Sequence, residues 1–124
     1  MKRINTIDEI QDAVKYIRDF KKDYYTNLFY DGEKFNLWIR KGLFHIVLGN
    51  EIVLFLKQNN SFYNVYYCAT SLSKIVSGLK TLKEDYSGKE FVFDIIGKES
   101  GLTDIITIFH SNGYFLYTKL VRMS

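Results

Sequence analysis

The chain has 124 residues, of which 47% are hydrophobic, 17% aromatic and 25% charged, with 17 lysines and arginines against 14 aspartates and glutamates for a net charge of +3. Such a length and balance describe one ordinary domain able to bury its own core, and they exclude a largely disordered chain. The small charge gives no argument for nucleic acid, and a single cysteine, Cys68, excludes an internal disulfide framework or a multi-cysteine metal site.

In chain order, the first predicted element is a helix with Ile7, Ile10, Val14, Ile17 and Phe20 at helical spacing. Thr6 and Glu9 form a capping-box pattern, Asp8 and Glu9 suit the helix start, and Lys21 and Lys22 suit its end. The stretch Met1–Asn5 carries Lys2 and Arg3, but the acidic, amphipathic segment behind it is unlike a signal peptide. Asn27 to Gly32 reads as a loop with an apolar anchor at Leu28, Phe29 and Tyr30. A short helix then covers Glu33 to Lys41, with Phe35, Trp38 and Ile39 on one side and Gly42 at the C-cap.

The middle reads as three strands, Phe44–Leu48, Ile52–Gln58 and Phe62–Ala69, joined by turns at Gly49-Asn50 and Asn59-Asn60-Ser61 into an antiparallel meander. Ile52 to Leu56 is the longest apolar run, far short of the ~20 residues that cross a bilayer. A soluble cytoplasmic protein is expected. In the third strand Tyr63, Val65 and Tyr67 share one face, while Phe62, Asn64, Tyr66 and Cys68 share the other. Without a basic rim or a glycine-aromatic signature these aromatics read as core, and no nucleic-acid partner is expected.

The last part alternates. Ser71–Tyr86 reads as a helix through Leu72, Ile75, Val76, Leu79 and Leu82. Phe91–Ile96 is a strand, Leu102–Ser111 a helix ended by Asn112-Gly113, and Tyr114–Met123 a final strand. The helix-length connection after Ala69 implies that Phe62–Ala69 and Phe91–Ile96 run parallel through a right-handed crossover. The fold class is mixed-sheet α/β, with an antiparallel meander followed by strand, helix, strand, helix and strand.

This element order resembles the GNAT (N-acetyltransferase) fold without its first strand. The stretch Ile106-Thr107-Ile108-Phe109-His110-Ser111-Asn112-Gly113-Tyr114-Phe115 looks like that family's helix–turn–strand motif, and Tyr117–Met123 looks like the strand that follows. The meander Phe44–Ala69 is similar to the N-terminal half of bacterial proteins with two tandem GNAT-like domains, in which the first half is commonly degenerate. The resemblance implies one GNAT-like domain over residues 1–124, and a cofactor, acetyl-CoA, bound where a strand splays from its neighbour. In the family the pyrophosphate rests on a loop of the form Arg/Gln-x-x-Gly-x-Gly/Ala. The matching stretch here is Cys68-Ala69-Thr70-Ser71-Leu72-Ser73-Lys74, with no glycine and no Arg or Gln. Thr70, Ser71, Ser73 and Lys74 therefore form a degenerate slot, in which the hydroxyl residues are expected to cap the helix, with a residual anion site as the alternative.

The family's thiolate-protonating tyrosine aligns with Phe109, which has no proton to give. His110 beside it points about 100° away on a helix and is expected to face solvent. His45 reads as a satisfied or exposed strand histidine, Cys68 as a buried structural thiol, and Asp94 as a solvent-facing or edge carboxylate, with a raised-pKa base as its alternative. No catalytic residue, bound cofactor or metal is assigned. The resemblance implies a non-catalytic GNAT-like domain that packs on a catalytic GNAT domain. A small active N-acetyltransferase using acetyl-CoA is one alternative. The other is an interaction module with a homodimer partner, met through the apolar final strand near Tyr114–Met123. No membrane partner is expected.

Overall fold

The computed structural model describes residues 1–86, 88–93 and 107–111. Among the described residues six strands form one mixed sheet: β1 (Lys2–Arg3), β2 (Tyr25–Thr26), β3 (Phe44–Gly49), β4 (Ile52–Gln58), β5 (Tyr63–Ala69) and β6 (Phe91–Phe93). Three helices, α1 (Ile7–Phe20), α2 (Gly32–Arg40) and α3 (Leu72–Asp85), pack on it, and residues 107–111 are also helical. The second half of the expected strand Phe91–Ile96, the start of the expected helix Leu102–Ser111, the final strand and homodimer contact expected near Tyr114–Met123, and Asp94 lie outside the described residues.

The meander is as expected. Strands β3, β4 and β5 pair antiparallel, with Gly49 opposite Ile52 and Gln58 opposite Tyr63 at the two turns. The parallel step is also present: β6 runs alongside β5 with Tyr63, Asn64 and Val65 opposite Phe91, Val92 and Phe93. Two short strands correct the expected order. β1 pairs antiparallel with β3, Lys2 opposite Ile46 and Arg3 opposite His45, so the chain does have an initial strand. β2 pairs antiparallel with the far end of β5, Tyr25 opposite Ala69 and Thr26 opposite Cys68. Two residues cannot display a period of two, so neither strand leaves a mark in the sequence pattern.

The sheet separates two cores. One holds α1 and α2 through Ile10, Ile17, Phe35, Trp38, Phe44 and Phe55; the other holds α3 through Leu54, Leu56, Tyr67, Leu79 and Leu82. Strand β4 is sandwiched between them, which is why its side chains from Ile52 to Leu56 are buried without alternation. Helix α1 starts with the Glu9 carboxylate accepting from the backbone N–H of Asn5 and Thr6, which holds its pKa below the usual carboxylate value. Helix α2 is capped by Asp31, and Gly42, just past its C-cap Lys41, has a φ of +70° that favours glycine. Helix α3 lies close on β4 because Gly78 has no side chain; a Cβ there would fall 2.7 Å from Ile52 Cδ1. Phe20, expected on the buried stripe of α1, is 56% exposed and stacks edge-on against Tyr16 at the surface.

Candidate functional site

The outer edge of β5 is where the sheet changes partner. At its start β5 carries β6 in parallel, and at its end it carries β2 antiparallel. Between them two backbone groups of β5 meet no strand among the described residues. Instead the side chain of Asn27 meets both: its Nδ2 donates to Val65 O at 3.1 Å, and its Oδ1 accepts from the Tyr67 N–H at 2.7 Å. Asn27 is 2% exposed. Thr26 fixes the next step, its hydroxyl donating to Tyr67 O at 2.7 Å and accepting from the Leu28 N–H at 3.0 Å. The apolar anchor expected at Leu28, Phe29 and Tyr30 is thus corrected. Leu28 is partly buried, Phe29 and Tyr30 lie at the surface, and the residue that ties this loop down is the polar Asn27.

The turn from β5 into α3 brings together the four residues of the degenerate slot. Ser71 is the N-cap, and its Oγ accepts from the Lys74 N–H at 3.3 Å. Ser71 and Ser73 share a hydrogen bond of 2.9 Å. Thr70 turns away: its hydroxyl donates to the Glu51 carboxylate at 3.1 Å and its N–H to Glu51 O at 3.2 Å, joining this turn to the β3–β4 hairpin. Lys74 lines an open groove of about 260 Å³ beside α3, floored by Val47, Ile52 and Leu54. The first turn of α3 is therefore closed by its own side chains, and one of its free N–H groups is already used.

On the α3 side of β5, Tyr67 is 1% exposed and its ring lies 6.4 Å from that of Phe109. Its hydroxyl is buried and has no hydrogen-bond partner among the described residues. Burial, helped by the neighbouring Cys68, pushes its pKa up to about 12. Cys68 faces the other core, with Thr26 Oγ1 at 3.3 Å from its sulfur, and burial pushes its thiol up to about 11. It is the buried, structural thiol that the sequence indicates. Phe109 is buried and His110 is exposed on the helical stretch 107–111. His45 departs from expectation. It is half-buried, its Nδ1 has no partner among the described residues, and burial lowers its pKa.

Chemically, the β5 edge offers one acceptor and one donor in peptide register, both now satisfied by Asn27. Tyr67 adds a phenol held in its protonated form. Among the described residues no three His, Cys, Asp or Glu side chains gather into a group able to hold a metal ion, and no helix is long and apolar enough to cross a membrane. Sequence reading missed both Asn27 and Tyr67. A polar residue within an apolar loop was the available signal for the first; a tyrosine on the core face of a strand was the signal for the second. No protein-family model, curated protein or solved structure matches this chain.

Proposed function

We propose that this chain is a non-catalytic GNAT-like domain whose role is to pack against a catalytic acetyltransferase partner and help shape its acceptor cleft. The layering supports the reading: two helices on one face, a third on the other, and a parallel β5–β6 step bridged by α3. The observation that carries it is the occupied edge of β5. In the family this resemblance points to, the splayed strand lends its edge to the cofactor. Here the Tyr67 N–H and Val65 O are bonded to Asn27, and α3 is capped by Ser71 where a glycine loop would receive pyrophosphate. With Phe109 at the acid position and a side chain in place of each loop glycine, neither cofactor binding nor thiolate protonation is supported.

A second reading, a small active N-acetyltransferase, draws on the Tyr67 hydroxyl, a protonated phenol against Phe109 with no hydrogen-bond partner among the described residues. Thermal melting with acetyl-CoA separates the two. A ligand present at 100 times its dissociation constant raises stability by about 2.7 kcal/mol, which shifts the melting point by several degrees. The non-catalytic reading expects no shift at millimolar acetyl-CoA. A saturable rise of several degrees, with acetyl transfer to an amine acceptor, establishes the second reading instead.

A further inference from the structure

We propose that the face formed by Lys34, Trp38 and Lys57 is a docking site for an acidic peptide segment, whose carboxylates pair with the two ammonium groups. The site goes beyond the acetyltransferase reading and does not depend on it, because this face belongs to α2 and lies across the sheet from α3. Trp38 is the single tryptophan of the chain and is 9% exposed. Lys34 precedes it by four residues on α2, which puts both on one side of that helix. Lys57 comes from the end of β4, opposite Phe44 of β3 and Asn64 of β5. The two ammonium nitrogens lie over the same indole ring, 5.1 and 5.7 Å from its centroid.

What the cluster lacks is an anion. The ion pairs among the described residues, Lys2–Glu9 and Lys15–Asp19, lie elsewhere. Asp31, the acid at the start of α2, turns its carboxylate to the Lys34 backbone N–H at 3.2 Å. The acceptors of the cluster are used inside it: Lys57 donates to Asn59 Oδ1, and Asn59 Nδ2 donates to Asn64 Oδ1 at 2.7 Å. The donors are in excess. Neither the Lys34 ammonium nor the Trp38 indole N–H meets an acceptor among the described residues. Two like charges held on one ring, that of Lys57 half-buried, set up a positive potential that carboxylates relieve. Phosphate recognition favours arginine forks or free helix N–H groups; the cluster has no arginine, and Asp31 already caps α2. Leu37, 40% exposed, and Lys41 continue the same side of α2 at three and seven residues from Lys34. The surface is thus a stripe suited to a chain segment rather than to one isolated carboxylate.

Intrinsic fluorescence of the full wild-type chain reads the site directly, because Trp38 is its single tryptophan. Tetraglutamate, titrated at a constant ionic strength of about 0.15 M, is expected to give a saturable change in emission. In nuclear magnetic resonance spectra the Trp38 indole N–H and Asn64 carboxamide signals are expected to shift along the same curve. No saturable change, or shifts spread equally over the lysines of α3, overturns the proposal. Lys34→Met and Lys57→Met remove the charge and keep an apolar stem over the ring, and each is expected to weaken binding about fivefold. Undiminished binding in both folded variants overturns the proposal; where a variant melts, the wild-type signals decide. A uridine tetranucleotide that binds more tightly than tetraglutamate at the same ionic strength overturns the assignment to an acidic peptide.

Discussion

Replacing Asn27 by alanine removes one carboxamide and leaves two buried backbone groups, Val65 O and Tyr67 N–H, without their bonds of 3.1 and 2.7 Å. Each such group, when stranded away from water, costs about 1–3 kcal/mol. Some relief comes from a water entering the vacated space, which is polar on two sides. The expected loss is about 2–4 kcal/mol, a large share of the roughly 5–15 kcal/mol that holds a domain together. Asn27→Asp refines the test. At neutral pH it keeps an acceptor for Tyr67 N–H but sets a carboxylate against Val65 O, so it is expected to lose at least as much as alanine. Protonation supplies the missing donor, so the folded-state pKa of that aspartate lies above the unfolded one. Its favourable contribution is present below the unfolded pKa and fades as pH rises through the folded one. Urea unfolding followed by circular dichroism reads all three proteins, with the slope unchanged. An Asn27→Ala midpoint corresponding to less than about 0.5 kcal/mol of lost stability refutes the reasoning, because surface substitutions cost that little.

Three further outcomes follow from the same geometry. Tyr67→Phe removes a buried hydroxyl that has no partner among the described residues, so it is expected to leave stability unchanged or raise it by about 1 kcal/mol in urea titration. Cys68, with its thiol pushed up to about 11, is expected to react with iodoacetamide at pH 8 about a hundredfold more slowly in the folded chain than in urea. His45 has a folded-state pKa below its unfolded value, so its contribution is full above the unfolded pKa and is lost as pH falls toward the folded one. Thermal melts of wild type and His45→Asn between pH 5 and 8 are expected to converge in slope above about pH 7 and to diverge below it.

Much of this fold is legible in the sequence because its larger elements have strong periods. The buried stripes of α1, α2 and α3 and the unbroken apolar run of β4 follow from 3.6-residue spacing and two-sided burial. The parallel β5–β6 step is legible in the change from turn-length to helix-length connections. β1 and β2 are not legible, since two residues carry no alternation. The site was harder still. Leu28, Phe29 and Tyr30 look like the anchor of their loop because apolar residues usually are, yet the Val65 O and Tyr67 N–H of β5, which meet no strand among the described residues, are met by a polar one. Only knowledge of what lies across the sheet turns Asn27 into the answer. The Ser71 cap, by contrast, was legible, because a hydroxyl before an apolar helical run has a local meaning. Phe20 shows the reverse failure: it continues the α1 stripe by spacing but lies at the last residue of the helix, at 56% exposure.

On the proposed reading, this chain alone does not hold acetyl-CoA: the Tyr67 N–H on the β5 edge is bonded to Asn27 and the start of α3 is capped by Ser71. Isothermal titration of the purified full chain with acetyl-CoA measures this directly. No saturable heat is expected up to millimolar cofactor; one-site binding with a low-micromolar dissociation constant contradicts the non-catalytic reading.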